Sequence, residues 1–444
     1  MKKLLPIVAI FSCCSAYAQN PIDNYTTSTN TYTEIGTGLG SPVDLDFVPG
    51  RPGELWVLNR ESTGGSFHIF FNAGKSNQVM QFRRDSHNDH FMARCVAFCF
   101  GDKDYFGTAQ DVLNTSPGST FMGPALWNSD TSIFASMHQS DWDPSMPLGS
   151  HIDMLHQSPH GMGIAHDNAN VYWYFDGYNS NIVKFDFATP HGVGEDDHSD
   201  GRVHRYTDIS VKKVLNQPSH MVLDKQNKWL YLVDGGNKKV MRLNTATGNV
   251  GQDLPPIDEP LAEYKEVTGA TYETVVSGMN KPVGIDYRKD RLLVSDVTTG
   301  DIMIYNTTSM PAQLVGTIHT GGPGVMGVRI DNDNKIWYVN NTTKKVYRID
   351  NPKVAAVHDM PPAKTVSFSI YPNPASTVLN ISIADVNVSS KADIAIFDMT
   401  GRRMFTATAD QPITSVNTQA WAKGIYNVVL TTNGSSVSSQ VVIK

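Results

Sequence analysis

One short pattern recurs through the middle of this chain and limits what it can fold into. An apolar run closes on Asp or Asn, a turn follows, and a β-branched residue stands six positions later. It reads Asp176-Gly-Tyr-Asn-Ser-Asn-Ile182, Asp234-Gly-Gly-Asn-Lys-Lys-Val240, Asp296-Val-Thr-Thr-Gly-Asp-Ile302 and Asn340-Asn-Thr-Thr-Lys-Lys-Val346. The acid or amide suits this place because its short side chain accepts backbone N–H groups in the turn, while Gly or Asn tolerates positive φ. Before each copy lies an apolar strand (Val171–Phe175, Trp229–Val233, Arg291–Ser295, Lys335–Val339). Before that comes a turn and strand opening on Pro159-His-Gly-Met-Gly, Pro218-Ser-His-Met, Pro282-Val-Gly-Ile or Val325-Met-Gly-Val.

Looser copies stand at Ser41–Phe47 with Leu55–Asn59, and at Arg94–Phe98 with Tyr105–Gln110. The anchors Asp176, Asp234, Asp296 and Asn340 lie 58, 62 and 44 residues apart, which fits four-stranded units of about 40 residues carrying insertions. Such units cannot bury both faces alone, and six arranged radially close into a β-propeller around a channel. Five or seven blades stay open, because the first two copies are loose. An eight-stranded barrel would need no turn repeated at one spacing.

The Pro-x-Gly start and the Asp-x-x-Asn-x-x-Ile turn resemble NHL-type repeats of TolB-like six-bladed propellers, across roughly residues 35 to 350. Composition agrees with a turn-rich β chain: of 444 residues 18% are charged, with 35 Gly and 24 Pro. A net charge of −7 without a long basic run argues against a nucleic-acid partner.

At the N-terminus, Lys2 and Lys3 precede an apolar run from Leu4 to Cys14, then Ala16-Tyr-Ala18. This predicts a secretory signal peptide, residues 1–18, rather than a membrane span of about 20 residues. No transmembrane segment is expected in the mature chain. Cys95 and Cys99, if on one strand, are too far apart for a disulfide and read as small buried hydrophobes. The propeller is therefore expected over residues 19–350, with insertions at about 112–157 and 187–206. The segment 112–157, carrying Met122, Trp127, Met137, His138 and Trp142, is long enough to cap the channel.

A linker over 351–366, marked by Asn351-Pro352 and Pro361-Pro362, leads to a module of alternating strands at 367–444. Period-2 alternation with turns at Thr400-Gly401 and Asn433-Gly434 predicts an immunoglobulin-like β-sandwich. The expected fold class is thus all-β, a six-bladed β-propeller plus a C-terminal sandwich. The start Tyr371-Pro372-Asn373-Pro374, the turn ending at Gly401 and the strand Gly424-Ile-Tyr426 resemble the type A C-terminal sorting domain of the type IX secretion system. The resemblance implies a type IX translocon partner, a bacterium of the Bacteroidetes kind, and a secreted or outer-surface location. A carbohydrate-binding module is the alternative, but Trp421 stands almost alone as an aromatic.

Ten of the 14 histidines fall between His87 and His204, namely His87, His90, His138, His151, His156, His160, His166, His191, His198 and His204. Imidazole is a common ligand for zinc and copper, so the excess points to metal binding, against the plain alternative that His suits polar loops. His160 and His220 head two consecutive inner strands. The Pro-His-Gly-Met sequence resembles the zinc-ligand strands of the peptidyl-hydroxyglycine amidating lyase, in which three blades each give one histidine. Here the two differ by one residue in register, and Val43, Arg94, Val283 and Met326 occupy the other equivalent places. His156 or His151 is the expected third ligand.

A second candidate is the loop Pro190–Gly201, through His191, His198 and His204 for zinc or through Asp197 and Asp200 for calcium. The ion expected is zinc, copper or calcium. No G-x-S-x-G elbow, H-E-x-x-H or P-loop is present. Two functions follow: binding of a ligand or metal on the histidine-rich face of an exported propeller, or a metal-dependent lyase or hydrolase with its histidines in the channel.

Overall fold

The computed structural model describes residues 20–27, 29–62, 64–84, 91–114, 120–135, 151–193, 197–255, 259–354, 368–383, 392–400, 402–409, 411–432 and 435–444. The expected signal peptide, His87, His90, Met137, His138, Trp142, Gly401, Asn433 and Gly434 lie outside them. The chain divides into two compact units, Met1–Val357 and His358–Lys444. No helix among the described residues is long and apolar enough to cross a membrane.

Among the described residues of the first unit six sheets are present. Their inner strands are Pro42–Phe47, Cys95–Phe100, Gly161–His166, Met221–Asp224, Pro282–Arg288 and Val325–Ile330, and they head blades 1 to 6 in that order. Each inner strand lies beside the next, and the last lies beside the first, so the sheets stand in a propeller-like ring. Blade 6 takes its fourth strand from the N-terminus: Thr31–Thr37 pairs antiparallel with Lys345–Asp350, Thr31 opposite Asp350. Sequence reading had left Thr31–Thr37 without a place.

Three of the four recurring residues do what the turn requires, while Asp234 accepts instead from the Lys212 backbone N–H and the Asn237 side chain. Asp176 accepts from the backbone N–H of Tyr178 (2.9 Å) and Asn179 (2.8 Å), and Asp296 from those of Thr298 (2.9 Å) and Thr299 (3.1 Å). Asn340 accepts from Thr342 and Thr343, both at 2.9 Å. Two inner-strand glycines, Gly163 and Gly284, have a different cause, the close approach of neighbouring inner strands. A Cβ on Gly284 would press on the Met326 carbonyl oxygen of blade 6, and one on Gly163 on the Ser219 carbonyl oxygen at the head of blade 4.

Two segments expected as insertions carry blade strands. Residues 112–157 supply the outer strands of blade 2, Ala125–Asn128 and His151–Met154, and residues 187–206 include the fourth strand of blade 3, Arg202–Tyr206. Trp127 is buried in the aromatic core between blades 1 and 2 with Trp56, Phe67, Phe98, Phe106 and Phe134, rather than standing over the channel. The blade needs those strands to cover its apolar face, which accounts for the correction. An insertion that was not expected lies in blade 4: Asn249–Asp253 and Glu263–Thr268 leave that blade and extend blade 3 to six strands, Glu263–Thr268 pairing parallel with Arg202–Tyr206.

Charged side chains are buried at the inner strands. Arg329 of blade 6 is buried, with Asp46 Oδ1 at 3.4 Å and Asp44 Oδ1 at 3.7 Å. Burial would lower its pKa, but Asp44, Asp46 and Asp286 together raise it. Burial pushes the Asp286 carboxyl up to about 6 against the pull of Arg329. Cys95 and Cys99 are free thiols on the blade 2 inner strand, and burial pushes Cys99 up to about 12.

The second unit packs a three-stranded sheet, Phe368–Tyr371, Val378–Ile383 and Ile413–Asn417, with a four-stranded one, Ala392–Asp398, Arg403–Ala409, Gly424–Thr432 and Ser435–Ile443. Leu379, Ile381, Ile394, Ile396, Val428, Leu430 and Val441 form its core.

Two stability effects follow. Gly284→Ala should cost about 1–3 kcal/mol in denaturant unfolding through overpacking, whereas Gly322→Ala, with open space around it, should be near neutral. Because the native Asp286 pKa lies above its unfolded value, the native state holds the extra proton. Its contribution is present below about pH 4 and is lost as pH rises through about 6. Asp286→Asn should remove a decline on the order of 2–3 kcal/mol over that window, and an unchanged pH profile of unfolding would refute the assignment.

Candidate functional site

The histidine-rich residues gather between blades 2 and 3, beside their outer strands. Asp153 sits on the outer strand of blade 2 with 1% of its surface exposed. Its Oδ1 accepts from the Met154 backbone N–H at 2.7 Å and faces His198 Nδ1 at 3.1 Å. Burial raises its pKa, and His198 and His191 oppose that rise. Residues 155–160 then cross to the inner strand of blade 3. Arg205 fixes this crossing, donating to the Gln157 carbonyl and the Ser158 hydroxyl, both at 2.8 Å, while Asp176 and Asn181 hold its other nitrogen.

His156 stands in that crossing, buried, its ring against Phe121 at 3.7 Å and Phe91 at 5.9 Å between centroids. Glu259 reaches it from the extra hairpin of blade 4. The His156 backbone N–H donates to Glu259 Oε1 at 3.3 Å, and its Nδ1 lies on Glu259 Oε2. The His198 ring is 5.2 Å from that of His156 and nearly perpendicular, at 73°. One ligand atom from each of His156, His198 and Glu259 lies within 4.8 Å of the others.

A second group satisfies the same condition: Asp153, His191 and Asp200. His191 Nε2 is 3.5 Å from Asp200 Oδ1, and Asp200 Oδ2 accepts from the Thr189 backbone N–H at 3.0 Å. Three buried atoms of the two groups, His156 Nε2, Asp153 Oδ2 and His191 Nδ1, have neither a hydrogen-bond nor an ion-pair partner among the described residues. Leaving a buried polar atom unpaired costs roughly 1–3 kcal/mol, so this concentration has a chemical meaning. Two imidazoles and one carboxylate are a set that holds zinc with a position left open, and one imidazole with two carboxylates is a harder set.

The structure divides the expected sites differently from the sequence reading. His160 and His220 have separate partners. His160, with left-handed backbone (φ 55°), places Nδ1 2.8 Å from Asp111 Oδ1 of blade 2, where Lys213 and Arg60 also converge. His220 is buried on the axis, with Nε2 3.1 Å from the Val96 carbonyl and Nδ1 3.6 Å from Asp44 Oδ1. Burial lowers its pKa against the pull of Asp44.

His156 follows an outer strand, so it meets the blade 3 loop rather than the channel. His151 is buried between Phe91 and Trp127. His204 pairs across strands with Glu263 at 2.8 Å, and exposed Asp197 accepts from the Ser199 N–H at 3.0 Å within a turn. The sequence reading missed Asp153 and Glu259. The long interval between Asp234 and Asp296 was the available sign of the segment that brings Glu259.

In the second unit, Tyr371, Pro372, Asn373 and Pro374 are exposed. Asn373 is tied to the last strand, donating to the Gln440 carbonyl and accepting from the Val442 N–H, both at 3.0 Å. Gly424 opens the strand in which the Tyr426 hydroxyl donates to the Ala422 carbonyl at 2.8 Å.

Solved structures similar to this chain include a structural genomics protein of unknown function from Bacteroides thetaiotaomicron, 10% identical over 72% of this chain and 76% of that one, with a TM-score of 0.43. Another is an auxiliary nutrient binding protein from Bacteroides ovatus, at 10% identity, the same 72% and 76% coverage and a TM-score of 0.47. A streptogramin B lyase is 10% identical over 72% of this chain and 98% of its own, with a TM-score of 0.40. No curated protein matches the chain. Residues 369–444 match the secretion system C-terminal sorting domain family, and this domain directs the chain through type IX secretion to the cell surface or the extracellular space.

Proposed function

We propose that this chain is an exported six-bladed propeller of the NHL type that binds a divalent transition-metal ion between blades 2 and 3, and through it a ligand. The observation that carries the reading is the convergence of His156, His198 and Glu259 within 4.8 Å from three separate segments. Three protein ligands leave a fourth position for a ligand oxygen or a water, so the site suits metal-dependent recognition. The channel lyase or hydrolase has less support, because His160 is paired with Asp111 of blade 2 while His220 Nε2 meets the Val96 carbonyl, so the two do not share a site. A signal peptide at residues 1–18 fits the route that the sorting domain serves.

Zinc titrated calorimetrically into the EDTA-stripped full chain should bind, and His156→Ala or Glu259→Gln should weaken it at least 10-fold while His160→Ala leaves it unchanged. Equal binding by His156→Ala and wild type would overturn the site. For export, a chain lacking residues 367–444 should accumulate in the periplasm, and its appearance outside the cell would contradict the role of the tail.

A further inference from the structure

We infer that Asp153, His191 and Asp200 hold a second divalent cation beside the first, making a two-ion centre. The inference rests on the cation reading above and extends it. Asp153 joins the two groups. Its Oδ1 faces His198 Nδ1 at 3.1 Å, and its Oδ2 is buried without a hydrogen-bond partner. A carboxylate accepting from one imidazole nitrogen fixes the tautomer, so the lone pair sits on the other nitrogen, where a metal can take it. Asp153 thus orients a ligand of the first ion with one oxygen and offers the other to the second.

His191 adds an unpaired buried atom, Nδ1, and Asp200 Oδ1 lies 3.5 Å from His191 Nε2 without a hydrogen bond. The ion pairs of Asp153 and Asp200 are with His198 and His191, not with Lys or Arg. Two carboxylates, one of them almost fully buried, therefore each face an imidazole and pair with no Lys or Arg among the described residues, an arrangement that is costly until a cation is supplied. Neutral imidazole disfavours magnesium and calcium, and two carboxylates suit borderline ions such as zinc and manganese. The Asp200 side chain is 37% exposed, so the second position opens to solvent and exchanges more readily than the first.

The experiment is metal content per chain for the full-length protein, stripped with EDTA, reloaded with zinc or manganese and desalted. Wild type should retain two ions. Asp200→Asn, a shape-preserving change at a part-exposed residue, and His191→Ala should each retain one, with the zinc affinity of the remaining site within about 3-fold of wild type. Asp153→Asn should lose the second ion and weaken the first about 10-fold, as removal of an orienting partner does.

One ion in wild type, kept in Asp200→Asn, would overturn the second site and leave the first. One ion lost equally in His156→Ala and Asp200→Asn would mean a single shared site and would also overturn it. No retained ion in wild type would remove both the inference and the function it rests on. Circular dichroism and the unfolding midpoint of each variant separate a lost ligand from a lost fold.

Discussion

A ring of sheets leaves every inner strand with one edge outside its own ladder, and those backbone groups must find partners near the axis. Carboxylates supply many of them. Asp44 and Asp46 of blade 1 accept from the Phe98 and Phe100 N–H groups of blade 2, both at 3.2 Å, and Asp286 of blade 5 accepts from Ile330 N–H of blade 6 at 2.6 Å. Where no acid intervenes, backbone meets backbone: Ser219 N–H donates to the Met162 carbonyl and His220 N–H to that of Val283. Arg329 offsets the charge that these acids bring inside. The blades hold their positions, and the outer loops their geometry, because this inner seam is satisfied.

The repeat was legible because its cause is local. A turn that consumes an acid's lone pairs imposes a residue type at a fixed distance from the next strand, and Asp176, Asp296 and Asn340 hold their turns in that way. The inner-strand glycines Gly163 and Gly284 were legible as part of the motif, although their reason, an approaching carbonyl from the next blade, is tertiary. Thr31–Thr37 was invisible as a blade strand because its partner lies at the far end of the ring, and nothing in its own composition points there. The outer strands of blade 2 were read as a lid because Ala125–Asn128 and His151–Met154 are short and widely separated.

The site was legible as a concentration of one residue type but not as a geometry. His156 and His198 belonged to different expected sites and meet because two blades pack side by side. Asp153 looked like an ordinary strand residue, since its meaning depends on the ring that faces it. Glu259 comes from a blade that is not even a neighbour of blade 2, carried over by an extra hairpin that pairs parallel to the edge of blade 3. Side chains gathered by packing leave little trace in spacing. Unusual distances between repeats mark where such visitors originate.

The N-terminal strand that completes blade 6 also sets an order of events. Its partner, Lys345–Asp350, lies about three hundred residues later, so this pairing is among the least local in the ring. Blades can form one after another from local hairpins as the chain emerges, but the circle cannot shut before nearly all of them exist. A chain that forms its blades in order from local hairpins thus keeps its leading strand unclaimed until the last blade arrives.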